Sequence, residues 1–141
     1  MYDLSVSGNI FGSEHIRYLN IHPKGLRVGD CAKRAIALAS DTDYMETQRA
    51  LNRYKKISHS QEFNERKNLY GYLEKELHAK KLSFPAEAGI PRMNGESFTK
   101  KFPTGRFVLN MAGHFTACIN GIIYDTWDCS EKCVYSAWQI V

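Results

Sequence analysis

The chain has 141 residues, of which 43% are hydrophobic and 24% charged. Those values suit one globular domain around a single core and exclude a disordered tail, a collagen-like repeat and a coiled coil. The formal net charge is +4, and the basic pairs Lys55-Lys56, Lys80-Lys81 and Lys100-Lys101 are scattered, so no nucleic-acid partner is expected. No apolar run approaches the roughly 20 residues of a membrane helix, so no membrane association is expected either.

Residues 1 to 29 read as irregular, punctuated by Gly8, Gly12, Pro23, Gly25 and Gly29. Asp30 then precedes the Ala-rich run CAKRAIALAS. Asp is a favoured N-cap and Ala the best helix former, which predicts a helix from Cys31. Its apolar stripe takes in Cys31, Ala35, Leu38 and Ala39, with Lys33 and Arg34 off that stripe. Asp43 followed by Glu46 is a capping box for a second helix, to about Lys56. A third helix is expected over about Phe63 to Ala79, with Leu69, Leu73 and Leu77 at four-residue spacing. The helical stretch from 41 to 82 is charge-rich and carries Tyr44, Tyr54, Tyr70 and Tyr72. It reads as a solvated helical cover, with a partner or substrate wall as the functional alternative. Pro85, Gly89, Pro91 and Gly95 mark a loop over 83 to 95. A short helix at Ser97 to Phe102 is stopped by Pro103 and Gly105.

The last third reads as strands. Arg106 to Ile119 and Ile122 to Asp128 flank Asn120-Gly121, a strong signal for a type I′ hairpin. A two-residue turn sets Ile119 opposite Ile122, Thr116 opposite Asp125 and His114 opposite Trp127. Alternation then assigns Phe107, Leu109, Met111, Phe115, Ala117 and Ile119 to a core face. Val108, Asn110, Ala112, His114, Thr116 and Cys118 share the other face with Ile123, Asp125 and Trp127. His114 and Asp125 are diagonal neighbours there, at roughly 7–8 Å between Cα atoms. Asp128, the rival carboxylate, falls on the opposite face.

Four cysteines, Cys31, Cys118, Cys129 and Cys133, are too few for a disulfide scaffold. Free thiols in a reducing compartment are the expectation. Cys129-x-x-x-Cys133 is a single pair with no histidine after His114 to complete a zinc set, so no metal is expected. Of the other histidines, His15, His22, His59 and His78 have no evident partner and read as surface residues.

Three residues combine into chemistry. A thiol at a helix start, Cys31, meets a positive dipole end that lowers its pKa. An imidazole, His114, can take its proton, and a carboxylate, Asp125, can fix the ring. The first N–H groups of the helix can help hold an oxyanion. Cys118 is the rival nucleophile, but it lies mid-strand without a dipole.

Gly29-Asp30-Cys31 opening a helix, Gly113-His114 on a late strand and Asp125-Thr126-Trp127 together resemble the papain-like cysteine peptidase superfamily. More narrowly, GDCAKRAIALA and GRFVLNMAGHFTACINGIIYDTWD resemble small phage and bacterial proteins of that fold, over about 29 to 44 and 97 to 128. The resemblance implies an α+β papain-like fold in one domain, 1 to 141. A helical part, about 30 to 82, would pack on a C-terminal antiparallel sheet, about 90 to 141. It implies a Cys31-His114-Asp125 triad without cofactor, acting on an amide bond in a peptide or protein substrate. Trp127 follows the acid by two, as a shielding Trp follows the orienting Asn in papain. By that analogy an amide in place of Asp125 should still serve. Papain's oxyanion glutamine lies six before its cysteine. Here that position is Gly25, and Asn20 is the substitute candidate.

The N-terminus lacks the basic and apolar regions of a secretory signal. The expected compartment is the cytoplasm, that of the host cell for a phage protein. Two other functions use the same scaffold: transglutaminase- or deamidase-type acyl transfer, and a non-catalytic binding or inhibitor protein.

Overall fold

A computed structural model describes residues 1–58 and 66–140. Six strands form one sheet, flanked by helices. In chain order the elements are β1 (Ile16–Tyr18), α1 (Cys31–Ser40), α2 (Tyr44–Ile57), α3 (Arg66–Gly71), β2 (Lys80–Ser83), α4 (Gly95–Lys101), β3 (Arg106–Met111), β4 (His114–Ile119), β5 (Ile122–Asp125) and β6 (Val134–Ile140). The strand order is β1-β5-β4-β3-β6-β2. The fold is α+β, but the sheet is mixed: β1 runs parallel to β5 and every other pairing is antiparallel.

The Asn120-Gly121 turn forms as expected. Both residues have positive φ, 48° and 77°, which is the type I′ requirement. Ile119 pairs with Ile122 and Cys118 with Ile123, and the ladder stops at Ala117–Tyr124. The expected single strand over Arg106–Ile119 is instead two. A second tight turn at Ala112-Gly113, with Gly113 at φ 66°, pairs Met111 with His114. Crossing that turn reverses the assumed parity. Phe107, Leu109 and Met111 therefore lie with Cys118 and Ile123 in one core. Val108 lies with Phe115, Ala117 and Ile119 in the other.

Both faces of the sheet are thus buried. One face takes α1, whose Ala35, Ile36, Leu38 and Ala39 pack with Phe115, Ala117, Tyr124 and Trp138, and with Leu51, Tyr54, Leu69 and Leu73 from the helices behind. The other face takes α4 through Phe98, which lies edge-on to Phe107 at 5.1 Å. Asn94 caps α4 through the Ser97 N–H, with Ser97 returning the bond. Asp43 caps α2, accepting from the Met45 and Glu46 N–H groups.

Four expectations change. The third helix is shorter: α3 ends at Gly71 and continues as a π-helical turn over Tyr72–Glu76, with its start at Phe63 outside the described residues. Lys80–Ser83, inside the expected helical part, is an edge strand on β6. Ile16–Tyr18, inside the expected irregular part, is the other edge. The tyrosines turn inward: Tyr44, Tyr54 and Tyr72 are buried, and Tyr70 stacks on Trp138 at 4.9 Å. No helix among the described residues is long and apolar enough to cross a membrane.

Candidate active site

Cys31 is the first residue of α1, and α1 packs on the inner face of β4. This sets the helix N-terminus beside His114, the first residue of β4. The Cys31 N–H precedes the first intrahelical bond, which runs from the Arg34 N–H to the Asp30 carbonyl. Its own N–H has no acceptor within the helix. Two cavities meet over the Cys31–His114 pair. One, about 210 Å³, continues past Ala32, Leu69, Phe115 and Arg66. The other, about 290 Å³, continues past Leu26, Val28, Thr126 and Trp127.

His114 is buried, 7% exposed. Its Nε2 lies 2.7 Å from Asp125 Oδ2, which leaves Nδ1 as the nitrogen available to the Cys31 thiol. Burial alone would raise the thiol. The hydrogen bond to His114, a backbone bond from Phe115 and the charges of His114 and Arg34 outweigh it and hold Cys31 below the ordinary thiol range. Burial likewise opposes a charged ring. Bonds to Asp125, Cys129 and Cys31 nonetheless push His114 up to about 11. Asp125 is the converse case. Burial would raise it, but the bond and charge of His114 hold it below the usual carboxylate range. All three directions favour a thiolate–imidazolium pair backed by a carboxylate.

Trp127 lies edge-on to the His114 ring, 5.0 Å between centroids, with Lys132 over its own ring at 5.9 Å. Asp128 is exposed and turns away, accepting from the Ser130 N–H and hydroxyl. Cys118 is fully buried, and burial pushes its thiol up to about 12. Asn20 is engaged in its own loop: its Nδ2 donates to the Leu26 carbonyl and its Oδ1 accepts from the His22 N–H. His15 is half-buried and 3.1 Å from the Thr99 hydroxyl, His22 packs on Tyr44, His78 is exposed, and His59 lies outside the described residues.

Two neighbours escape the sequence reading. Cys129 is fully buried, and its Sγ is 3.5 Å from Asp125 Oδ2. Its hydrogen-bond partner is Asp125. His114, Asp125 and Cys129 are the described residues whose donor atoms lie close enough to hold a metal ion, within 4.8 Å of one another. The His114 and Asp125 donors already bond each other.

Arg34 is the second. Expected off the apolar stripe, it is buried, with Nε 2.8 Å from Asp30 Oδ1 and NH1 3.2 Å from Asp125 Oδ1. Asp30 accordingly makes no side-chain cap to α1. It accepts instead from Arg34 and from the Tyr44 hydroxyl. The i, i+4 spacing of Asp30 and Arg34 was the available signal. The chain matches no protein-family model, no curated protein and no solved structure.

Proposed function

We propose that the protein is a papain-like thiol hydrolase, a cysteine peptidase or isopeptidase, that cleaves an amide bond in a peptide or protein. The observation that carries this reading is the arrangement at one cleft: a thiol at a helix N-terminus beside a buried histidine whose other nitrogen is 2.7 Å from a carboxylate. In the proposed reaction, the Cys31 thiolate attacks the carbonyl carbon and the C=O π pair moves to oxygen. The Cys31 N–H at the helix start supports that oxyanion. The tetrahedral intermediate collapses, the C–N bond breaks, and the His114 imidazolium gives its proton to the leaving amine. Water then attacks the thioester with His114 as base, releasing the acid and regenerating the thiol. Asp125 orients His114, and Trp127 keeps water from their bond. No step needs a cofactor. All four cysteines are free thiols, which suits a reducing cytoplasm.

The test is covalent capture followed by turnover. A peptidyl vinyl sulfone panel should label the full chain at Cys31, identified by peptide mapping. A peptide library should be cleaved by wild type but not by Cys31→Ala. The Ala suits a first helical turn, so the variant should keep its near-UV circular dichroism. Labelling spread over Cys31 and Cys133 at the rate of an unfolded thiol would overturn the reading. It would favour a non-catalytic binding protein.

A further inference from the structure

Asp125 sits 1% exposed, and each of its oxygens has its own donors. Oδ2 faces His114 Nε2 at 2.7 Å. Oδ1 accepts from the Thr126 N–H at 2.7 Å and from Arg34 NH1 at 3.2 Å. Arg34 cannot swing aside, because its Nε is held at 2.8 Å by Asp30 and Asp30 is held by the Tyr44 hydroxyl at 2.9 Å. The titratable groups in the field of Arg34 are Asp30 at the start of its helix, Tyr44 from α2, Asp125 from β5 and the Cys31 thiol, and Asp125 in turn interacts with His114 and the Cys129 thiol. A guanidinium is an obligate donor that cannot release its proton in this range.

We infer that Arg34 is the positioning residue of this site, and that its donor on Oδ1, together with the Thr126 N–H, makes position 125 require a carboxylate rather than an amide. The inference rests on the Cys31–His114 pair acting as proposed above. Two donors converge on the Oδ1 position, so an asparagine there must place its carbonyl oxygen toward Arg34 and Thr126. Its NH₂ then faces His114 Nε2. That nitrogen becomes an acceptor, and the ring proton moves to Nδ1, the nitrogen that faces Cys31. A protonated Nδ1 on a neutral ring cannot take the thiol proton, so the ion pair is lost. A carboxylate accepts on both sides and avoids the conflict. This reverses the expectation, drawn from the family resemblance, that an amide would serve.

The experiment uses the full chain as wild type, Asp125→Asn, Arg34→Gln, Arg34→Lys and the Arg34→Gln/Asp125→Asn double variant. Two readouts are taken at each pH: the His114 ring ¹⁵N shifts, which report which nitrogen carries the proton, and the iodoacetamide rate at Cys31. In wild type both ring nitrogens should be protonated at pH 7. In Asp125→Asn the ring should be neutral with its proton on Nδ1, and the alkylation rate at pH 7 should fall at least about tenfold. Arg34→Gln removes one of the two donors on the Oδ1 position and should by itself lower the rate. In the Asp125→Asn background it should add little further loss, because the Thr126 N–H, 2.7 Å from Oδ1, still holds the amide carbonyl. That coupling is what a structural role alone does not give. Arg34→Lys, which reaches one carboxylate at a time, should fall between wild type and Arg34→Gln. Additive effects of the two substitutions, or an Asp125→Asn ring that keeps its proton on Nε2, would overturn the inference. If Arg34→Gln does not fold, Arg34→Lys, alone and with Asp125→Asn, carries the same coupling test. If wild-type Cys31 alkylates like an unfolded thiol, the hydrolase reading fails, while the ring shifts still report whether Arg34 governs His114.

Discussion

Arg34, one turn into α1, bonds the Asp30 carboxylate at 2.8 Å and so takes from the helix the side chain that would otherwise cap it. Asp30 accordingly makes no bond to the first helical N–H groups. The Cys31 N–H, first of the helix and without an intrahelical acceptor, lies at the point where the proposed reaction develops negative charge. The Asp30–Arg34 pair thus anchors the group that holds Asp125. A buried arginine between two carboxylates is costly to break on one side only, which fixes this geometry rather than merely permitting it.

The pH dependence of Cys31 follows from the directions of the two shifts. A lowered thiol pKa means that thiolate forms below the ordinary ~8.5 of a free thiol. A raised imidazole pKa keeps His114 charged until about pH 11. The Cys31 alkylation rate should climb at lower pH than that of unfolded protein, hold a plateau, and change again only as the solution nears that upper value. His114→Ala should return the profile to that of an ordinary thiol. A stopped-time alkylation series with mass-spectrometric site assignment measures both. Cys118 should stay unlabelled in the native protein at every pH at which it is folded.

Trp127 has a separable effect. It lies edge-on to the His114 ring, where in the proposed reaction it excludes water from the bond to Asp125. Trp127→Ala should let water compete for that bond and lower the pKa of the ring toward its ordinary value. The upper limb of the alkylation profile should move down in pH, while the native fold persists because Trp127 is only half-buried. An unchanged upper limb would show that the ring edge does not screen the pair.

Asp128 provides the control for strand register. It is exposed and bonded only to Ser130 among the described residues. Asp128→Ala should leave the Cys31 profile unchanged within about twofold, since it touches no member of the triad. β5 ends at Asp125 and Asp128 lies beyond it, so the pair of variants reads out whether the acid is the last residue of the strand or the one in the loop that follows.

Gly95 tests the core on the far face. A Cβ there would lie 2.9 Å from Met111 Cε, 3.0 Å from Ile123 Cδ1 and 3.0 Å from Ser130 Cα. The two side chains can give way, but the Ser130 backbone cannot. Gly95→Ala should destabilise the protein by about 1–3 kcal/mol, measured as a shift of the urea midpoint at constant m-value. Because Ile123 leads into Asp125 on β5, the variant should also slow Cys31 alkylation if the strand is displaced.

Local signals in the chain determined a good part of this molecule. Asn-Gly requires two positive φ angles, so the β4–β5 hairpin and its register were readable, and with them the common face of His114 and Asp125. An Ala-rich run after Asp30 specified α1 and placed Cys31 at its start, because propensity acts over a single turn. Asp43 likewise announced α2. Tertiary structure alone decided the rest. Ala112-Gly113 is a weaker turn signal inside a run of strand formers, and only pairing with β6 on one side and β4 on the other splits that run. Edge strands β1 and β2 are too short to show an alternating pattern: each gives the core one side chain, Ile16 and Leu82, and is otherwise held by backbone pairing to β5 and β6. Arg34 looked like a solvated charge because sequence spacing gives its helical neighbours but not Asp125, ninety-one residues away. Long-range charge compensation in a buried site has no local signature, and that is where the protein sets the chemistry of Asp125 and His114.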